Sequence, residues 1–275
     1  MEKSADNKEK TGGGIVKEDL GFSRVIYQDT RLYRFTSDSV LLSRFARAKK
    51  GDNVADFCSG CGIVAFHFYL VNGGGTKETV TNGTKERGTT ESGTTESESG
   101  GKRKANVTDG MRFTLFELQE RLNDLARRTA KENGFENFSF VTGRLQDMPK
   151  EYYGKFSLAL CNPPYERGGF GCEKYERAVC KKEIAITFNE IAAAAKKALK
   201  YGGRFVLSQR ADRVAEVIAA LDKNSFAVKR LQFVAGKAED KPYLALIEAV
   251  RGGKSGAEVL PTLINDATTG GTEKS

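Results

Sequence analysis

Short apolar runs alternate along the chain with longer segments that repeat apolar residues at helical spacing. The first run, DNVADFC at 52–58, ends in a glycine-rich turn and leads into the apolar segment 62–71. Another run at 112–118 precedes an amphipathic segment, 119–134, that ends at Gly134. Short runs of this kind predict buried strands, and the longer periodic segments predict helices.

The second half of the chain continues this alternation. A long helix is predicted at 183–203, with Gly202 as its C-terminal cap. The other predicted elements are strands at 138–143, 155–161, 204–210, 226–234 and 242–250 and a helix at 211–223. Strands that alternate with helices predict an α/β fold, with a mostly parallel sheet covered on both faces. The last two strands are joined by a short polar loop, which predicts a terminal antiparallel hairpin and seven strands in all.

Three segments contain almost no apolar residues and are expected to be disordered, because they cannot offset the entropy lost on folding. They are 1–16, 72–110 and 267–275. The middle one is of low complexity, with near-repeats such as TTESGTTES. The segments on either side of it are both needed to complete the sheet. We therefore expect one domain, 17–266, that is interrupted by an insertion at 72–110.

Composition narrows the possible partners and compartments. The 275 residues carry a formal charge of +8, with a pI of about 9.1, which favours a polyanion such as RNA but also suits a merely well-solvated surface. The N-terminus lacks the apolar core of a signal peptide, and no apolar run approaches the length of a membrane span. The odd number of cysteines, five, fits reduced thiols in the cytoplasm.

The cysteines nearest the glycine-rich turn, Cys58 and Cys61, form a C-x-x-C pair. A metal site would need further ligands, but the chain has a single histidine, His67, and no second pair of this kind. We therefore expect no metal, and we interpret the two cysteines as small apolar residues that pack the turn. His67 lies in an apolar segment and is interpreted as a core residue.

The glycine-rich turn itself, DFCSGCG, is a candidate ligand loop. Asp56 ends the strand, and Gly60 and Gly62 allow the backbone to approach a ligand at the carboxyl edge of the sheet. The pattern lacks the third glycine of a dinucleotide-binding loop, so it suits a cofactor without a pyrophosphate, although a purely structural turn has the same pattern. Glu117 ends the next strand, where a carboxylate can accept both hydrogen bonds of a ribose diol; a solvated glutamate is the alternative.

Two further residues are assigned to the same cofactor site. Leu118 directly follows Glu117. Asp147 follows the third strand and can accept a hydrogen bond from an adenine amine, or it can cap the turn at 147–153; the sequence does not choose between these roles.

The most specific motif follows the fourth strand and reads Asn162-Pro163-Pro164-Tyr165. Two consecutive prolines remove two backbone donors and leave a rigid row of carbonyl acceptors beside the Asn162 amide. Such acceptors can hold an amino group by its hydrogens, favour its pyramidal and more nucleophilic form, and stabilise the positive charge that develops on it. Tyr165 can stack on a planar substrate. The motif therefore predicts chemistry on an amine that is conjugated to a planar group.

These residues resemble the NPPY class of amino methyltransferases, and in particular the bacterial tRNA adenosine-37 N6-methyltransferase family that acts on a valine tRNA. The resemblance extends to segments at 35–42 (FTSDSVLL), 181–184 (KKEI), 229–234 (KRLQFV) and 244–249 (LALIEA). It implies a Rossmann-like class I fold and S-adenosylmethionine as the cofactor. It further implies that Asp56, Gly60, Gly62 and Glu117 hold the cofactor, and that residues 162–165 hold the target amine.

The implied substrate is an adenine in RNA, most simply in a tRNA, and the protein is expected to be a monomer or weak homodimer. Candidate RNA contacts are the basic residues Lys181, Lys182, Arg210, Arg213, Lys229, Arg230, Lys237 and Lys241. The alternatives are a protein glutamine methyltransferase, which needs the same four residues, a ribosomal RNA guanine methyltransferase, and a non-catalytic RNA-binding protein on the same scaffold. Only about 35 ordered residues are expected before the first strand, which is short for the substrate domain of a glutamine methyltransferase.

Overall fold

A computed structural model describes residues 14–32, 36–74, 107–163 and 186–266 of the chain. The predicted C-terminal tail and most of the predicted N-terminal tail and insertion lie outside the described residues. Within the described ranges, no helix is long and apolar enough to cross a membrane.

Ten strands and five helices form the described part of the chain. The strands are β1 Ile15–Gly21, β2 Arg24–Asp29, β3 Asn53–Phe57, β4 Arg112–Glu117, β5 Phe138–Thr142, β6 Phe156–Cys161, β7 Leu199–Arg210, β8 Phe226–Ala235, β9 Leu244–Arg251 and β10 Glu258–Ile264. The helices are α1 Ser37–Phe45, α2 Ile63–Val71, α3 Glu120–Asn133, α4 Phe188–Ala198 and α5 Val214–Lys223.

The main sheet has the order β10-β8-β9-β7-β6-β3-β4-β5. All neighbouring strands in it are parallel except β9, which runs antiparallel to both β7 and β8. The α/β class, the mostly parallel sheet and the antiparallel β8–β9 hairpin are therefore confirmed. The sheet has eight strands instead of the predicted seven, because β10 adds to the edge of β8. Pro261 interrupts its apolar pattern, and a proline in a strand is tolerated at such an edge.

A separate two-stranded hairpin, β1–β2, precedes the main sheet and was not predicted. It includes Ile15, so the chain is ordered slightly before the predicted end of the N-terminal tail. The hairpin packs against α3: the Tyr27 amide donates to the Thr129 hydroxyl at 3.0 Å, and the Val25 amide donates to the Asn133 side chain at 3.0 Å. These bonds explain its position, because an isolated hairpin is only marginally stable.

The long predicted helix ends earlier than its sequence indicates. It stops at Ala198, and Leu199 is already extended and pairs with Phe156 of β6. Gly202 is therefore not a helix cap. It lies inside β7 with φ of 76°, at an irregularity in the β6–β7 register where glycine relieves the strain of a left-handed conformation. The buried Leu199 side chain favours the strand over another helical turn.

Alternate residues of each central strand face opposite layers of the core. In β3, Val54 belongs to the layer that contains α1, α2 and α3, whereas Ala55 belongs to the layer that contains α4 and α5. Because β3 pairs with β4 on one side and β6 on the other, Phe57 lies beside both Phe116 and Cys161. The loops that leave these three strands therefore meet at one edge of the sheet.

Candidate active site

The glycine-rich turn leaves β3 in a left-handed conformation at several positions. Cys58 has φ of 54°, Gly60 57° and Gly62 87°. A side chain at Gly62 would collide with Phe66 and Leu115, at 2.5 and 2.8 Å, so this glycine serves internal packing at the start of α2. In contrast, no neighbouring atom of the described residues lies within 4 Å of a side chain built at Gly60. The turn thus presents open space over Gly60.

Glu117 joins the end of β4 to this turn. Its side-chain oxygens accept hydrogen bonds from the backbone N–H groups of Gly60, at 2.8 Å, and Gln119, at 2.9 Å. Burial raises the pKa of the carboxyl, while these donors oppose the rise. The structure thus brings together Gly60 and Glu117, which are 57 residues apart in the chain. Each oxygen keeps a lone pair for a further donor.

Asp56 is buried beneath the same turn. One of its oxygens accepts from the Ala65 N–H, in the first turn of α2, at 3.2 Å. Burial, with a smaller contribution from the nearby Glu117 carboxyl, raises the pKa of Asp56 to about 8. The other oxygen, Oδ1, and the buried hydroxyl of Ser59 have no hydrogen-bond partner among the described residues. Buried polar atoms without partners are rare in folded proteins, so these two atoms fit a site that a bound group completes.

Leu118 and Asp147, the two other predicted cofactor contacts, are both exposed but differ in their surroundings. Leu118 is an exposed apolar side chain directly after Glu117, which suits contact with an apolar ring face. Asp147 ends a short 3-10 helix, Leu145–Asp147, and its side chain is 75% exposed, 3.8 Å from Arg144. The next turn, Lys150–Tyr152, begins after Pro149, so the alternative role of Asp147 as the cap of that turn is wrong. The exposed carboxylate remains available for a ligand.

Asn162 lies immediately after β6, and two serines hold its side-chain amide. The amide nitrogen donates to the Ser39 hydroxyl in α1 at 2.8 Å, and the Ser208 hydroxyl in β7 donates to the amide oxygen at 2.7 Å. Pro163 is buried, whereas Pro164 and Tyr165 lie outside the described residues. Sequence reasoning did not identify Ser39, Ser59 or Ser208. Ser39 lies within the segment 35–42 that carries the family resemblance, but Ser208 has no local signal.

The cysteines near the site are free thiols in the described chain. Burial raises the pKa of Cys61 to about 12 and also raises that of Cys161. Among the described residues, no group of three or more histidine, cysteine or acidic side chains is arranged to hold a metal ion. Both thiols are buried in the core and stay protonated, as small packing residues do.

His67 is buried in α2, and its Nδ1 lies 2.6 Å from the Ser43 hydroxyl of α1. Burial, with a smaller contribution from the Arg44 charge, lowers the pKa of the imidazole to about 4. The neutral ring therefore joins α1, which carries Ser39, to α2, which follows the glycine turn.

The basic residues proposed as RNA contacts separate into two groups. Arg213 and Arg230 are buried, in ion pairs with Glu216 and Glu248 at 2.7 and 2.6 Å, so their assignment as RNA contacts is wrong. The other described candidates are Arg210 and Lys229, which make local contacts at the surface, and Lys237 and Lys241, which are exposed in the β8–β9 loop. Lys181 and Lys182 lie outside the described residues.

The β8–β9 loop lies at the same sheet edge as Asn162. Its last residue, Tyr243, accepts a hydrogen bond from the Ala211 N–H just beyond β7 at 3.1 Å, and its side chain is 41% exposed. The loop that contains Lys237 and Lys241 therefore lies at the edge of the sheet where Asn162 and Ser208 are located.

Solved structures share this fold at low sequence identity. A predicted O-methyltransferase from Agrobacterium tumefaciens has a TM-score of 0.55 and 16% identity, and the match covers 82% of this chain and 86% of that one. The tRNA m1G37 methyltransferase of M. jannaschii has a TM-score of 0.53 and 10% identity, with 89% and 56% covered. TYW2 of P. horikoshii, in complex with MeSAdo, has a TM-score of 0.52 and 9% identity, with 87% and 72% covered.

Sequence comparison reaches the same class of protein. No curated protein sequence matches the chain. The family model described as a methyltransferase domain matches residues 103–263, which include β4 to β9 and most of β10. The glycine turn precedes the matched residues, so its assignment rests on the geometry described above. Because the match covers more than half of the sequence, the chain belongs to the methyltransferase domain family, whose methyl donor is S-adenosylmethionine.

Proposed function

We propose that this protein methylates the amino group of an adenine in RNA, most simply in a tRNA. The observation that carries the proposal is the position of Asn162 and Pro163. They leave β6 beside β3, whose carboxyl end carries the glycine turn, so an amine held at the motif lies next to the cofactor loop. When bound, S-adenosylmethionine supplies an electrophilic methyl group attached to a sulfonium.

The residues around the glycine turn suit such a cofactor. Glu117 has a free lone pair on each oxygen for the two ribose hydroxyls, and Gly60 leaves room above the turn. The exposed side chain of Leu118 suits the face of the adenine ring, and Asp147 is an available acceptor for its amine.

The motif residues act on the amine. Asn162 Oδ1 accepts a hydrogen bond from Ser208, and it is one proposed acceptor for an amine hydrogen. The Pro163 carbonyl is the other proposed acceptor. Together they favour a pyramidal nitrogen and stabilise the positive charge that develops there. Tyr165 is proposed to stack on the base.

Several features support RNA as the substrate. The net charge of +8 favours a polyanion, and Lys237 and Lys241 are exposed in the loop that borders the site. Tyr243 offers an exposed ring in the same loop, where a neighbouring base can stack. The fold is also that of a tRNA methyltransferase, although at 10% identity this likeness concerns the fold alone.

The test is an incubation with labelled S-adenosylmethionine and three separate acceptors: unmodified bulk tRNA, ribosomal RNA and a release factor. We expect label in tRNA, recovered as N6-methyladenosine after nucleoside digestion. Label in release-factor glutamine with none in RNA would reject the RNA substrate and keep the amine chemistry. Label as methylguanosine in ribosomal RNA would reject adenine, and an absence of transfer to all three would reject the proposal.

A further inference from the structure

The amide of Asn162 is held from two sides by elements that are distant in the chain. Ser39 lies in α1, 123 residues before Asn162, and Ser208 lies in β7, 46 residues after it. Both serines are buried, at 1% and 0% exposure. Each therefore presents its hydroxyl to Asn162 from within the packed core, and not from a mobile surface.

The helix that carries Ser39 is itself anchored at two further points. Ser43, one turn later, hydrogen-bonds His67 of α2. At the end of α1, the Arg230 guanidinium lies 4.2 Å from the centre of the Phe45 ring and also pairs with Glu248. These contacts pack α1 against α2 and the sheet, and they are separate from the direct hydrogen bond between Ser39 and Asn162.

We propose that Ser39 and Ser208 are positioning residues, which hold the Asn162 amide in the plane and direction in which Oδ1 meets the target amine. This inference rests on the proposed function. Without the two hydroxyls, the side chain regains rotation about χ1 and χ2, and its amide is no longer kept in place before substrate arrives. The two contacts hold the amide at both ends, because Ser208 donates to Oδ1 and the amide nitrogen donates to Ser39.

The first test replaces each serine with alanine and measures methyl transfer from labelled S-adenosylmethionine to unmodified bulk tRNA. We expect Ser39→Ala and Ser208→Ala each to lower kcat roughly 10- to 100-fold, the scale of a small misplacement of a catalytic group. Affinity for S-adenosylmethionine should stay within about twofold of wild type. Alanine favours helix, so Ser39→Ala should fold.

Ser43→Ala is the matched control, because it removes a buried hydroxyl from the same helix without touching Asn162. It should keep near wild-type kcat. An equal loss of kcat in Ser43→Ala would show that loosening α1 is sufficient, and would overturn the inference. If alanine disturbs the strand at position 208, Thr and Val can replace it, because they have the same shape and differ in the hydroxyl. Ser208→Thr should retain much more activity than Ser208→Val. Equal activity of the two variants would overturn the role of the hydroxyl.

A double-mutant comparison separates positioning from general stability. In an Asn162→Ala background, Ser208→Ala should cause no further loss of kcat, because the group that it positions is gone. A full additional loss would indicate a structural effect and refute positioning. If Asn162→Ala itself retains full activity, the proposed function fails. If Asn162→Ala is impaired while both serine variants are normal, only the positioning inference fails.

Discussion

Replacing Glu117 with alanine tests the cofactor assignment most directly. Both carboxylate oxygens already bind a backbone N–H, from Gly60 and Gln119, and each has one lone pair left for a ribose hydroxyl. A hydrogen bond to a charged group contributes about 1.5–3 kcal/mol. The loss of two such bonds therefore weakens binding by about 3 kcal/mol at the lower end of this range, or on the order of 100-fold in Kd.

Titration calorimetry with S-adenosylmethionine measures this change. Glu117→Gln keeps the shape and one acceptor oxygen, so we expect its affinity to lie between those of wild type and Glu117→Ala. The matched control is Glu120→Ala, which removes an exposed glutamate one turn away that contacts Arg127 and Thr142 at the surface. Its affinity should be unchanged.

Glu117→Ala should remain folded. Burial already disfavours the charged carboxyl, so removing this group relieves a cost that partly offsets the loss of its two acceptor sites. Thermal unfolding of each variant checks this. A folded Glu117→Ala protein that binds S-adenosylmethionine within twofold of wild type would refute the ribose assignment. If Glu120→Ala weakens the binding of S-adenosylmethionine as much as Glu117→Ala does, the effect is one of surface charge.

Three further outcomes are expected. Asn162→Ala should lower turnover on tRNA by roughly 10²–10³-fold and leave the affinity for the cofactor unchanged. Tyr165→Ala should mainly raise KM for tRNA, because the loss of stacking weakens binding by about 1–3 kcal/mol, whereas Tyr165→Phe keeps the ring and should change KM little. Replacing residues 76–105 with a short Gly-Ser link should leave the melting temperature near wild type, since the cost of loop closure changes slowly with length; a large fall would show that the insertion is structural. The pKa of His67 is about 4 in the folded protein and 6.5 when unperturbed, so its contribution to stability is complete above pH 6.5 and declines as the pH falls toward 4. Urea unfolding at pH 7.5 and 4.5 measures the free energy of unfolding, which should fall more between these pH values for wild type than for His67→Gln. An equal fall in the two proteins would contradict this pKa.

Much of the fold follows from local patterns in the sequence. The amphipathic segment that ends at Gly134 is the helix α3, and the apolar runs around 52–58, 112–118 and 155–161 are the central strands β3, β4 and β6. Hydrophobic periodicity and turn residues act within a few positions of the chain, so they can be read without the rest of the protein. Parallel pairing then implies that Gly60, Glu117 and Asn162 lie at one edge of the sheet.

Other elements depend on long-range packing. The β1–β2 hairpin is stabilised by Thr129 and Asn133, about a hundred residues away, and β10 is defined only by its pairing with β8. The hairpin strands mix charged and apolar residues, and proline interrupts β10, so neither has a strong local pattern. The early end of α4 likewise reflects the pairing of Leu199 with β6, which outweighs the apparent cap signal at Gly202.

The same distinction holds within the site. The residue types at 162–165 are informative on their own, because Asn and two prolines in succession restrict the backbone and its acceptors whatever surrounds them. In contrast, the two buried serines that contact Asn162 are ordinary in their local sequence, as is the buried pairing of Arg230 with Glu248. Which hydroxyl meets which amide depends on how α1, β6 and β7 pack together, and only the tertiary structure determines those distances.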